Sequence, residues 1–91
     1  MYYLLTYQAV DNYVEKRAPL REAHLTLVRA AHERGELLLA GALADPVDGS
    51  VFLFKCEDQA VVAHFAKNDP YVLGGIIISW TVRKWTVVVG A

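Results

Sequence analysis

Apolar positions cluster in four strand-like runs, and two stretches of helical spacing lie between them. Tyr2 to Ala9 is apolar on both faces, with Tyr3, Leu5, Tyr7 and Ala9 on one side and Tyr2, Leu4 and Thr6 on the other. Such a strand is usually central and covered twice. From Gly35 to Phe54, an apolar run, an Asp45-Pro46-Val47-Asp48-Gly49-Ser50 cluster and a second apolar run spell the two strands of a hairpin. The last run, Ile76 to Val89, carries Arg83-Lys84 as its only charges, and its length predicts a bend or bulge there.

The helical stretches have their own punctuation. Pro19 suits a first helical position, where its missing N–H costs nothing. The helix is expected to reach about Arg34 and to stop at Gly35 in the left-handed conformation. At about 100° per residue, Leu20, Ala23, Leu27 and Ala31 share one face. His24 lies within that stripe, and His32 at its edge. Tyr13 to Ala18, with Glu15, Lys16 and Arg17, reads only as a connection. The second helix spans Gln59 to Lys67, capped by Asp58, and buries Val61, Val62 and Phe65 with His64 to the side. Asp69-Pro70-Tyr71 ends it, and Gly74-Gly75 turns the chain into the last strand.

This order is β-α-β-β-α-β, an α+β arrangement. The right-handed crossover rule then predicts a four-stranded antiparallel sheet in spatial order 4-1-3-2, with both helices on one face. The start of the first helix, the end of the second strand and the end of the second helix fall at the same rim. His24, Asp45 and Asp69-Pro70-Tyr71 therefore converge, although they are distant in sequence. The sheet face without helices remains apolar, more than a monomer exposes, and predicts a homodimer formed sheet on sheet. Higher oligomers stay open.

Composition narrows the function classes. Ninety-one residues make one domain, residues 1–91, and 55% of them are hydrophobic. A formal charge of −1 gives no basic field for nucleic acid. Cys56 is the only cysteine and has no internal disulfide partner; its setting reads as that of an inert small hydrophobe. Neither a signal peptide nor an apolar run long enough for a membrane is visible, so a cytoplasmic protein with no membrane partner is expected. Phosphate-loop, nucleophile-elbow and paired-cysteine patterns are absent. The histidine spacing offers no metal site, and no cofactor is expected.

The candidate chemistry rests on His24. A histidine on an apolar face is often structural, with its ring nitrogens satisfied by a carbonyl or water. It becomes a base when a carboxylate fixes one nitrogen and leaves the other free. Asp45 is the first choice for that carboxylate, bonded directly or through one water, with Asp69 the reserve. Asp45 also has a plain reading as a turn former before Pro46.

The segments Arg17-x-x-x-Arg21-x-x-His24-Leu25, Leu38-x-x-Gly41-Ala42-Leu43-x-Asp45-Pro46 and Asp69-Pro70-Tyr71-x-x-x-Gly75, with the closing Val82-Arg83-Lys84-Trp85, resemble the YCII family of YciI-like proteins over nearly the whole chain. The resemblance implies a ferredoxin-like fold that pairs as a dimeric α/β barrel. It also implies an active site on a histidine and an aspartate, here His24 and Asp45, with the Asp69-Pro70-Tyr71 segment lining the pocket. Two functions follow as expectations. One is a cofactor-independent lyase or isomerase in which His24 moves a proton, Asp45 orients it and Arg17 or Arg21 holds an anionic group. The other is a non-catalytic small-ligand-binding or accessory protein using the same pocket. Either takes a small-molecule ligand that the sequence leaves unidentified.

Overall fold

The alternation in the first strand is realised as drawn. In the computed structural model, which describes residues 1–90, β1 (Tyr2–Ala9) buries Tyr3, Leu5, Tyr7 and Ala9 and leaves Tyr2, Leu4 and Thr6 half-buried. A single helical turn, α1 (Tyr13–Lys16), and a 3-10 turn over Ala18–Leu20 lead into α2 (Arg21–Glu33). The hairpin strands are β2 (Leu37–Ala42) and β3 (Gly49–Lys55). After them come α3 (Gln59–Asn68), the short α4 (Pro70–Leu73) and β4 (Ile77–Trp85).

The strands form one antiparallel sheet in the order β2-β3-β1-β4, the order expected from the chain. One face carries the core. Tyr3 pairs with Phe54 and Leu5 with Phe52 across the two central strands. From the helices, Ala31, Val62, Phe65 and Ala66 close over them. Both long helices reach the same strand face: the Phe52 ring lies edge-on to His24 of α2 and to Phe65 of α3. Leu5 has no exposed surface; truncating such a residue to alanine costs about 2–5 kcal/mol.

On the other face, Leu39, Leu53 and Leu4 lie side by side across β2, β3 and β1, and Tyr2 pairs with Trp85. Leu39 is 69% exposed and Trp85 47%. No helix among the described residues covers this face, and none is long and apolar enough to cross a membrane.

Three local expectations are revised. The connection after β1 begins with Asn12 in the left-handed region (φ 61°) and folds into α1, which buries Tyr13. β4 ends at Trp85 instead of running to Val89, because its partner β1 begins at Tyr2 and offers no further residue to pair. The register slips between Gln8 and Ala9, opposite Ser79 and Ile77, whereas pairing continues unbroken through Arg83 and Lys84. The predicted bulge thus lies at the other end of the strand.

Gly74 packs α4 against the turn before α2. A Cβ there would fall 2.6 Å from Leu20 Cδ1 and 2.9 Å from the Pro70 carbonyl oxygen, so a side chain at this position would force the Leu20 side chain and the α4 backbone to shift.

Candidate functional site

The site begins with a helix cap. Proline disfavours helical backbone in the residue before it, and Asp69 is extended (φ −68°, ψ 125°) at the head of α4. Its Oδ1 accepts from the Tyr71 backbone N–H at 3.0 Å, an ordinary N-cap bond. The remaining acceptor capacity of the carboxylate points into the core. Oδ2 accepts from the Tyr7 hydroxyl at 2.7 Å, and Oδ1 lies 2.8 Å from His24 Nδ1. A carboxylate oxygen accepts, so Nδ1 is the donor in this bond, and Nε2 is the ring nitrogen left for another partner.

Burial makes this network consequential. Asp69 has no exposed surface and His24 is 8% exposed, so the hydrogen bond between them is buried. A buried carboxylate stripped of its donors loses several favourable bonds at once. The His24 ring also stacks on Tyr71, with centroids 3.7 Å apart and planes 7° from parallel. Tyr71 meets Tyr13 edge-on at 5.8 Å. Burial first, and then the negative charge of Asp69, push the Tyr7 phenol far above its ordinary range, which keeps it a donor. The Tyr71 phenol is also pushed up, by burial and then by Tyr13, against the pull of the Arg21 and Arg17 guanidiniums.

A cavity of about 240 Å³ opens beside His24 and Tyr71. Arg17, Arg21, Leu25 and Val28 bound it on the helical side, with the Arg17 guanidinium 5.2 Å from the Tyr13 ring centre. On the sheet side, Ala40 pairs with Phe52 and Ala42 with Ser50; the small side chains of β2 leave the volume open. The Ser50 hydroxyl sits 3.4 Å from that of Tyr13.

The structure therefore brings Arg17, Arg21, His24, Asp69 and Tyr71 together and leaves Asp45 apart. The expected His24–Asp45 pairing is corrected: the partner of His24 is Asp69. β2 ends at Ala42, and Asp45 sits in the hairpin loop with φ 57°, exposed and outside the cavity lining. Sequence reasoning missed Tyr7, Tyr13 and Ser50. The signal for Tyr7 was a hydroxyl on the buried side of a central strand, since a buried tyrosine O–H needs a polar partner. The other histidines are elsewhere. His32 Nδ1 donates to the Leu37 carbonyl at 2.7 Å, and exposed His64 lies beside Asn68. Burial pushes the Cys56 thiol up, away from the reactive thiolate form.

The model of the YCII-related domain matches residues 1–86. An uncharacterised protein of Haemophilus influenzae is 30% identical over 94 residues, spanning 93% of this chain and 96% of its own length. Protein YciI of Escherichia coli O6:H1 is 32% identical over 85 residues, 84% of this chain and 87% of its own. Among solved structures, 5-chloro-2-hydroxyhydroquinone dehydrochlorinase from Burkholderia phenoliruptrix AC1100, in complex with 2,5-dihydroxybenzoquinone, superposes with a TM-score of 0.80. It is 19% identical and the match covers 94% of each chain. That likeness is one of fold.

Proposed function

The chain belongs to the YCII-related family, and we propose that it is a cofactor-independent lyase or isomerase in which His24 transfers a proton on a small molecule held in the cavity. The observation that carries this reading is the buried His24–Asp69 pair at the cavity wall. Asp69 orients the imidazole and stabilises its charge once Nε2 has taken a proton from the substrate. The electron pair released by that proton moves into a new double bond. In a lyase the leaving group departs with its own electron pair; in an isomerase the proton returns to a different atom. In this reading Arg17, Arg21 and Tyr71, which line the cavity, bind the substrate. The dehydrochlorinase of similar fold supports the lyase direction, because its named reaction removes hydrogen and chlorine from one molecule.

The reading includes a dimer. Leu4, Leu39, Leu53 and Trp85 line an apolar groove of about 520 Å³ on the uncovered sheet face. A second copy packed sheet on sheet would hide this surface and form a dimeric α/β barrel.

Turnover tests the catalytic claim. Small hydroxylated and halogenated compounds are screened by thermal shift, and hits are followed for product formation with wild type and His24→Ala. Loss of product with ligand binding retained supports proton transfer by His24. A ligand that both proteins bind and neither transforms makes the chain a binding protein instead.

A further inference from the structure

The Tyr71 hydroxyl is buried and makes no hydrogen bond of ordinary geometry among the described residues; Arg21 is near enough to bear on its oxygen as a donor, which still leaves the O–H proton without an acceptor. A buried polar atom left unpaired is uncommon in a folded protein and calls for an explanation. Tyr71 lines the cavity, and its hydroxyl feels both the Arg21 and Arg17 guanidiniums. Neither arginine forms an ion pair with a carboxylate among the described residues. The cavity lining contains no acidic side chain, and the nearby Asp69 is fully engaged by Tyr7, Tyr71 and His24. An O–H proton without an acceptor and two cations without a carboxylate partner therefore line the same space, and both cations act on that hydroxyl. Leu25, Val28 and Phe52 supply an apolar boundary.

We infer that this cavity binds a small organic oxyanion, with its charged oxygen accepting from the Tyr71 hydroxyl near Arg17 and Arg21 and its apolar body against Leu25, Val28 and Phe52. The volume of about 240 Å³ lies below the roughly 300–1,000 Å³ of pockets for drug-sized ligands, so the occupant is a compact molecule. A carboxylate and a phenolate offer the same chemistry to this cradle. A hydrogen bond to a charged oxygen is stronger than one to a neutral oxygen, and a guanidinium adds attraction that a neutral ligand does not use. The arrangement thus selects for charge as well as size. It places the substrate's acidic oxygen beside the ring that moves the proton, and in this it builds on the proton-transfer reading above.

Calorimetric titration of the intact protein at fixed ionic strength tests the inference with four probes. Benzoate and 4-nitrophenolate are the anions; benzamide and benzyl alcohol are neutral molecules of similar size. At least one anion is expected to bind about 10-fold or more tightly than the neutral pair, and comparison of the two anions separates carboxylate from phenolate recognition. Tyr71→Phe should weaken the preferred anion about 10–100-fold and leave the neutral probes unchanged. Exposed Arg21 gives a second variant with little bearing on folding. Arg21→Gln should weaken the anion and flatten its salt dependence. Equal affinity for anions and neutrals, no binding of either anion, or unchanged anion affinity in both variants overturns the inference. These outcomes are separate from turnover by His24→Ala: anion binding without any product leaves this cradle standing and removes the enzyme.

Discussion

Tyr7→Phe isolates the bond that anchors the site from below. Tyr7 is 1% exposed and its hydroxyl lies 2.7 Å from Asp69 Oδ2. Phenylalanine keeps the ring and its tilted packing on Phe52 at 4.7 Å, so the perturbation is confined to one O–H. At neutral pH the carboxylate loses a buried donor, a cost of about 1–3 kcal/mol. Alkaline pH adds a second signature. The folded state holds the Tyr7 proton more tightly than the unfolded chain does, because burial and Asp69 push the phenol up. Stability from this group is fully present below the unfolded value of about 10 and is lost as pH rises beyond it, at up to about 1.4 kcal/mol per pH unit. The variant lacks that loss, so its deficit should shrink with rising pH. Urea denaturation at fixed protein concentration, from about pH 7 to 11, reads both effects. A variant as stable as wild type at neutral pH, or a deficit that stays constant above about pH 10, would refute the reasoning.

Asp69→Asn should lower stability by about 1–3 kcal/mol and slow turnover far more than it weakens ligand binding, whereas Asp45→Asn on the exposed loop should change stability by less than about 0.5 kcal/mol; parallel urea and steady-state measurements compare them. Gly74→Ala should destabilise by about 1–3 kcal/mol, because the added methyl meets Leu20 and the Pro70 carbonyl; an unchanged melting temperature would contradict that close approach. By light scattering, the wild type should run at twice the 10.1 kDa chain mass, and Leu39→Lys should run at the single mass. A wild-type monomer would remove the sheet-on-sheet pairing.

The topology was legible because each element carried its own period and stop signal, and the handedness of the crossover then allowed few arrangements. The shared rim was legible for the same reason, and it brought the start of α2 to the end of α3. The choice of carboxylate was not. Asp45 and Asp69 both precede proline and both lie near the rim in outline. They differ in whether the chain around them turns outward, as in the loop after β2, or is bound to a helix packed on the core. The Asp69 cap was the better clue, since a capping carboxylate uses one acceptor position on the backbone and has others left for the core. Tyr7 was hidden within an alternating apolar strand, where periodicity counts its ring and overlooks its hydroxyl. The four-residue α1 was too short to show a period, and the Val87-Val88-Val89 run promised a longer strand than the available partner permits.

The cavity is bounded by two unlike halves. The helical side and α4 carry most of the polar groups, and His24, Asp69 and Tyr71 among them are bound or stacked into a network that tolerates little change. The β2 side contributes Ala40 and Ala42 from an edge strand; both are exposed and pair with Phe52 and Ser50 on the cavity face, whereas Gly41 alternates to the other face. Bulk can therefore be added or removed along that strand without disturbing the acid, the imidazole or the phenols. A lineage built on this plan can change the shape of the molecule it accepts by substitutions at positions 40 and 42 while its proton chemistry stays in place.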